Sequence, residues 1–158
     1  MNCEKFTRNQ STNILVHCNR SDPNRTYKNQ KIDHSKTYLN YNLAPEHKDM
    51  TDYEYMKKRC EEFKILKRKD VNWLVSWVIT MPTDYTGNKA IFFKEAYNFM
   101  ENKYGKDNIV SAYVHLDETS PHMHFCFVPV VFDKKKQEFK VNAKQCINKT
   151  CLLYTSDA

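Results

Sequence analysis

The chain has 158 residues, a length that suits one compact domain with one core rather than two domains. Hydrophobic residues make up 41% of the sequence, and the mean hydropathy of −0.78 indicates a soluble protein. No run approaches the roughly 20 consecutive apolar residues that span a bilayer, and the N-terminus lacks a signal-peptide core, so we expect a cytoplasmic protein. A formal charge of +6 favours polyanionic partners such as nucleic acid.

The polar first third predicts a short helix followed by a long loop. Ser11 or Thr12 can cap a helix that continues to Asn19, because Ser and Thr side chains accept hydrogen bonds from the first backbone N–H groups. This helix places His17 and Arg20 about one turn apart.

The middle of the chain predicts two amphipathic helices with a buried strand between them. Apolar residues recur at helical spacing over residues 50–69 and again over Lys89–Tyr104, where Gly105 ends the pattern. Val71–Met81 is dense in β-branched and aromatic residues and is followed by Pro82, which predicts a strand.

The last third predicts β-hairpins. Ile109–His115 and His122–Phe132 are two β-rich runs separated by the turn Leu116–Pro121, and we expect them to pair antiparallel. Lys134–Lys136 is expected at the exposed far end, and Glu138–Val141 as a short return strand.

The segment HLDETSPHMH, residues 115–124, holds three of the six histidines and two carboxylates. Strand residues two apart share a face, so His122 and His124 point the same way, and His115 on the partner strand can reach the same point. Three imidazoles with open positions are typical of a catalytic metal site. The alternative is that these are unconnected polar residues at a hairpin end.

Residues alternating with these histidines predict the core. Met123, Phe125 and Phe127 point to the other face, while Cys126 shares the histidine face and is expected to pack rather than to bind metal. The fold class that follows is α+β: an antiparallel sheet with the two main helices packed on one face and a three-histidine metal site on the other.

The six cysteines form no CxxC pair and have no regular spacing, so we expect thiols rather than a disulfide framework or a zinc knuckle. They are Cys3, Cys18, Cys60, Cys126, Cys146 and Cys151.

HLDETSPHMH resembles the HxDExxPHxH signature of the MobV relaxases, the Mob/Pre plasmid recombination enzymes within the HUH endonucleases. Residues 17–20, HCNR, are similar to the family's HxxR motif, and residues 39–43, LNYNL, to its LNYxL segment. The three motifs occur in the family's order, and the resemblance spans about residues 8–144. Relatives usually have a strand before the HxxR helix; here the polar N-terminus suggests that this strand is missing or diverged.

The resemblance implies an enzyme that nicks and rejoins one DNA strand at a plasmid origin of transfer through a covalent intermediate on the protein. His115, His122 and His124 would hold manganese or, alternatively, magnesium or zinc. His17 would be the nucleophile and Arg20 would steady the phosphate charge. Glu118 is the candidate proton acceptor or orienting group for His17, and Asp117 the candidate partner of a ligand histidine.

Further residues are expected to react with the DNA or to bind it. Tyr41 is the alternative nucleophile, since many other relaxases use tyrosine. The basic residues of the polar loop are interleaved with Tyr27 and Tyr38, a mixture that suits a phosphate backbone and stacked bases. The expected contacts with single-stranded or hairpin origin DNA are Arg25, Lys28, Lys31, Lys36, Asn40 and Tyr41.

We expect residues 1–150 to form the relaxase catalytic domain, truncated at its C-terminal end. Residues 151–158, CLLYTSDA, match a translated sequencing adapter and are expected to be non-native. Relatives carry a further C-terminal region, often helical or coiled-coil, used for dimerisation or membrane association.

Three other functions remain open from the sequence. The chain could be a relaxase-derived DNA-binding module that does not cut. It could be a tyrosine-dependent HUH enzyme of replication initiation or transposition. A metallohydrolase without a DNA role would leave the HxxR and LNYxL segments unexplained.

Overall fold

A computed structural model of the chain describes residues 1–22, 31–63 and 65–148. The adapter-like tail at 151–158 lies outside these residues. Within them, the strands and helices follow in this order: β1 Asn2–Thr7, α1 Arg8–Asn19, a 3-10 helix His34–Leu39, β2 Tyr41–Asn42, α2 Asp52–Glu61, β3 Asn72–Thr80, α3 Lys89–Tyr104, a 3-10 helix Lys106–Asn108, β4 Ile109–His115, β5 His122–Phe127, β6 Val130–Asp133 and β7 Glu138–Val141.

The main sheet has five strands in the order β1-β3-β5-β4-β2, and every neighbouring pair is antiparallel. Strands β6 and β7 form a separate hairpin. The α+β class, the antiparallel sheet and the β4–β5 hairpin are therefore confirmed.

The two faces of the sheet are covered by different helices. Phe93, Tyr97 and Tyr104 of α3 pack over the face that carries Phe125 and Phe127, and the Tyr104 and Phe127 rings stack with centroids 3.9 Å apart. Burial of side chains of this size contributes about 1.5–3 kcal/mol each. Met123, Phe125 and Phe127 lie in this core, as predicted.

The opposite face, which carries the histidines, is covered by α1 and α2. Leu15 and Cys18 of α1 and Met56 and Cys60 of α2 pack there in a second core that includes Cys126. The expectation that both main helices share one face is therefore wrong for α2. The physical reason is that Cys126 and Val128 continue the histidine face of β5 as an apolar surface, which has to be covered.

The N-terminal strand expected to be missing or diverged is present as β1, with a polar sequence. It pairs with β3 at the edge of the sheet, with Phe6 opposite Leu74. An edge strand tolerates the polar residues that obscure its pattern, because one of its sides faces solvent. Thr7 ends the strand and caps α1, so the helix begins at Arg8, earlier than Ser11 or Thr12 predicts.

Two other element boundaries differ from the sequence prediction. Helix α2 ends at Glu61, although the apolar spacing continues to Leu66, which is exposed. The predicted strand His122–Phe132 is divided after Phe127, because Pro129 has no N–H for the ladder and the chain turns there into β6.

None of the five cysteines that the structure describes is in a disulfide, and Cys126 is buried in the second core, as predicted. Within the described residues, the longest helices are too short or too polar to cross a membrane.

Candidate metal and catalytic site

Strands β4 and β5 bring three histidines together. In their register His115 lies directly opposite His122, and His124 follows two residues later on the same face. The centroids of the three rings lie 4.9 to 5.2 Å apart. His115 is completely buried and His124 is 8% exposed. The structure thus brings together the three imidazoles that the HLDETSPHMH pattern predicts.

Backbone carbonyls determine which nitrogen of each ring faces the centre of this cluster. His115 Nε2 donates to the carbonyl of Cys18 at 2.8 Å, and His122 Nδ1 donates to the carbonyl of Ser120 at 2.8 Å. The remaining nitrogens, His115 Nδ1 and His122 Nε2, lie 3.3 Å apart. Hydrogen bonds of this kind orient metal-ligating histidines in proteins generally.

His124 provides a further sign that the cluster fits a cation. Its Nδ1 is buried and has no hydrogen-bond partner in the part of the chain that the structure describes. Burial, followed by the neighbouring histidines, holds the pKa of His124 well below its ordinary value. A neutral imidazole with a buried, unsatisfied nitrogen is suited to binding a divalent ion.

The potential ligand atoms among the described residues form two overlapping groups, each within 4.8 Å. One group is His17, His115 and His124; the other is His115, Glu118 and His122. His115 belongs to both. These donor sets of imidazole with or without one carboxylate fit a divalent transition metal.

His17 lies at the C-terminal end of α1, beside the histidine cluster. Its ring centroid is 5.8 Å from that of His115 and 5.7 Å from that of His124. Burial first, and then the charge of Arg20, lowers the pKa of His17 to about 4. The ring is therefore neutral near pH 7, the state in which an imidazole can act as a nucleophile.

A cavity of about 380 Å³ opens next to His17 between β1 and α1. Its lining combines one cation, two amides and apolar side chains: Lys5, Phe6, Gln10, Asn13, Ile14 and His17. The cavity therefore leaves room for a ligand beside His17.

Arg20 ends α1 and points its guanidinium at two carboxylates. The residue adopts the left-handed conformation, with φ of 54°, that ends the helix. Its Nε and Nη2 donate to the two oxygens of Asp117 at 3.2 and 3.1 Å, and Nη2 also donates to Glu118 at 2.9 Å. The side chains of Arg20 and Asp117 are 7% and 0% exposed. This is a buried, bidentate ion pair.

Asp117 has different partners from those predicted. Asp117 binds Arg20 and accepts from the Thr37 hydroxyl at 2.8 Å, so it steadies Arg20 rather than a ligand histidine. Burial opposes its ionisation, but the hydrogen bonds from Arg20 and Thr37 hold the pKa of Asp117 below its ordinary value. The physical reason for the difference is that backbone carbonyls already occupy the outer nitrogens of His115 and His122.

Glu118 lies among the ligand histidines. Its Oε2 is 3.3 Å from His115 Nδ1 and 3.3 Å from His122 Nε2. Contact first with His115 and then with His122 holds the pKa of Glu118 below its ordinary range. The role of this carboxylate as proton acceptor for His17 stays a prediction.

Asn40 and Tyr41 contact parts of the fold outside the histidine cluster. Asn40 Oδ1 accepts from the backbone of Leu116 at 2.7 Å and so anchors the turn between β4 and β5. Tyr41 pairs with Val114, and both pack against the core under α3, on the face away from the histidines. The structure therefore does not bring the alternative nucleophile Tyr41 to the cluster.

The predicted basic DNA contacts are only partly described. Lys31 and Lys36 are exposed, and Lys36 belongs to the 3-10 helix His34–Leu39. Arg25 and Lys28 lie outside the described residues. The 3-10 helix is attached to the site, because the N–H of Asp33 donates to the carbonyl of Asp117 at 2.7 Å.

Thr37 is a site residue that the sequence did not predict. Its hydroxyl contact with Asp117 joins positions 80 apart in the chain. The one available signal was its place just before the LNYNL segment, and that position does not identify its partner.

The fold and site define a class of protein: an α+β domain with a histidine cluster and a helix-borne histidine on one face of an antiparallel sheet. Comparisons with known proteins agree. The family model described as plasmid recombination enzyme matches residues 1–156. The chain belongs to the plasmid recombination enzyme family.

Curated relatives have the same description. A plasmid recombination enzyme type 3 of Staphylococcus aureus is 36% identical over 156 residues, covering 93% of this chain and 36% of that protein. A plasmid recombination enzyme of Lactiplantibacillus plantarum is 32% identical, covering 90% of this chain and 41% of that protein. The chain thus spans about a third of the length of the first of these relatives.

Solved structures extend the similarity to the fold. A Mn-bound crystal structure of the MobM relaxase domain, bound to 22-nucleotide plasmid pMV158 oriT DNA with a 3′-thiophosphate, superposes with a TM-score of 0.72. The two sequences are 28% identical, and the match covers 99% of this chain and 84% of that chain. A second Mn-bound crystal structure of that domain with oriT DNA gives a TM-score of 0.70 at 26% identity.

Proposed function

We propose that this chain is the catalytic domain of a relaxase that nicks and rejoins one DNA strand at a plasmid origin of transfer, for plasmid mobilisation. The observation that carries the proposal is the position of His17, a neutral imidazole less than 6 Å from the rings of His115 and His124 and open to a cavity. The Mn-bound MobM relaxase domain with oriT DNA supports the same assignment.

The reaction needs a nucleophile on the protein, because a covalent link to the phosphate conserves the energy of the cleaved bond for rejoining. A nitrogen of His17 attacks the scissile phosphorus and forms a phosphohistidine, while the displaced strand leaves as a hydroxyl. Rejoining reverses these steps, since that hydroxyl attacks the phosphohistidine and releases His17.

Arg20 is suited to the charge that develops on the phosphate. Its guanidinium is adjacent to His17, and the buried Asp117 holds it through two hydrogen bonds. A pre-positioned cation stabilises a transition state without the cost of reorienting solvent. We therefore assign Asp117 and Thr37 as positioning residues for Arg20.

His115, His122 and His124, with Glu118 beside them, are the residues that would hold a divalent ion, and manganese is the first candidate. Such an ion supplies Lewis-acid polarisation of the scissile phosphate. The buried unsatisfied Nδ1 of His124 supports this assignment. Glu118, whose Oε2 lies 3.3 Å from His115 Nδ1 and from His122 Nε2, stays the candidate acceptor for the proton that His17 loses.

The test uses single-stranded origin oligonucleotides, labelled at one end, incubated with the purified chain and either Mn²⁺ or EDTA. We expect a covalent protein–DNA adduct on denaturing gels with Mn²⁺, and none with EDTA. His122→Ala should abolish the adduct, because it removes a ligand, whereas His34→Ala, an exposed histidine outside the cluster, should retain it. Salt-sensitive DNA binding without any adduct would instead favour the non-cutting DNA-binding module.

Lys36 is one of the expected DNA contacts, and its substitution tests whether DNA crosses the 3-10 helix His34–Leu39. We expect Lys36→Ala to weaken single-stranded DNA binding and to reduce the slope of log affinity against log salt by about 0.7, the loss of one phosphate contact. Lys89→Ala, on α3 at the opposite face, is the matched control and should leave both unchanged. Fluorescence anisotropy over a salt series measures the DNA affinity and its salt slope. Equal slopes for the two variants would mean that Lys36 does not contact the DNA.

A further inference from the structure

We propose that His17 is also a metal ligand in a second coordination mode, in which Zn²⁺ closes a site with His17, His115 and His124 and withdraws His17 from reaction. This inference rests on the proposed function only for the role of His17 as nucleophile. The coordination itself is independent of any DNA chemistry.

The geometry places His17 among the ligands rather than merely near them. Its ligand nitrogen lies within 4.8 Å of those of His115 and His124, the same limit within which His115, Glu118 and His122 fall. His124 contributes the buried nitrogen that has no hydrogen-bond partner in the described part of the chain. The cluster therefore offers two three-ligand sets.

The two sets exclude each other. His115 belongs to both, and its Nε2 is committed to the carbonyl of Cys18. One nitrogen of His115 remains for an ion, so one ion occupies one set at a time.

The donor atoms of the two sets favour different ions. His17, His115 and His124 offer imidazole nitrogen alone, which suits the tetrahedral preference of Zn²⁺. The set of His115, Glu118 and His122, to which His124 adds a further donor in the proposed manganese site, includes a carboxylate. Oxygen ligands suit Mn²⁺, which lies at the weak-binding end of the divalent series for nitrogen sites. Zn²⁺ is thus expected to recruit His17, whereas Mn²⁺ leaves it available to the phosphate.

The experiment measures metal affinity in the absence of DNA. The metal-free chain is titrated with Zn²⁺ against a chromophoric chelator and with Mn²⁺ by the electron paramagnetic resonance signal of the unbound ion. We expect His17→Ala to weaken Zn²⁺ binding by about tenfold or more and to leave Mn²⁺ binding unchanged. His34→Ala, which changes an exposed histidine outside the cluster, should alter neither affinity.

Thermal unfolding of each variant without metal shows that the fold is intact, and His17→Asn replaces His17→Ala if the latter does not fold. Zn²⁺ affinity equal to that of the parent in a folded His17 variant would overturn this inference, as would a parallel loss of Zn²⁺ and Mn²⁺ affinity. If the Zn²⁺ result holds but no DNA adduct forms with Mn²⁺, the proposed function fails and the second coordination mode stands. If the parent forms the DNA adduct with Mn²⁺ but His17→Ala leaves Zn²⁺ affinity unchanged, the proposed function stands and the second coordination mode fails.

Discussion

His17→Ala is expected to reduce covalent adduct formation with origin DNA by about a thousandfold or more, because removing a nucleophile leaves only binding and electrostatic contributions. The measurement is a single-turnover assay with excess protein and Mn²⁺. Tyr41→Phe is the matched control. It removes the other candidate nucleophile, whose side chain packs on the far face of the sheet, and should leave the adduct intact.

The identity of the linked residue provides the decisive readout. Protease digestion of the adduct and mass spectrometry should locate the nucleotide on His17. An adduct that forms at the parental rate in His17→Ala would contradict the assignment. A nucleotide on a tyrosine would move the chain to the tyrosine-dependent HUH enzymes.

Asp117→Ala is expected to lower the free energy of unfolding by about 3 kcal/mol, the lower end of the cost of breaking a buried ion pair, because Arg20 keeps its contact with Glu118. Asp117 is completely buried, and its removal breaks both hydrogen bonds from Arg20 and the one from Thr37. Urea-induced unfolding followed by circular dichroism measures the change.

Glu61→Ala is the control for Asp117→Ala. Glu61 forms an exposed ion pair with Lys57 at 4.0 Å, and its removal should cost less than about 1 kcal/mol. A loss for Asp117→Ala as small as that for Glu61→Ala would mean that the Arg20 cluster contributes little to stability. Asp117 would then act only by orienting Arg20.

The sequence predicted those helices and strands whose residue pattern lies within the segment itself. The bounds of α3 and β4 match the predicted Lys89–Tyr104 and Ile109–His115, because Gly105 separates a helical pattern from a β-branched run. Strand β1 escaped prediction because an edge strand needs little apolar surface. The division after Phe127 was missed since the apolar residues on either side of Pro129 belong to two different sheets.

The same distinction applies to the candidate site. The three histidines of HLDETSPHMH could be placed from strand alternation and one turn, which act over ten residues. The contact between Arg20 and Asp117 spans 97 positions, and the HxxR and DE segments contain nothing that pairs them. The placement of α2 on the histidine face likewise depends on packing between distant elements, because Cys126 and Val128 alone supply the apolar continuation of that face.

Strand β5 is hydrogen-bonded on both sides, by β3 and by β4, while β1 and β2 form the edges of the sheet. Amide protons in such a central strand exchange with solvent only when much of the domain opens, whereas edge and 3-10 segments exchange through local fluctuations. His122 and His124 therefore belong to the slowest-exchanging part of the molecule, and Thr37 to a faster one. The histidine cluster can therefore keep its geometry while the 3-10 helix beside Asp117 fluctuates locally.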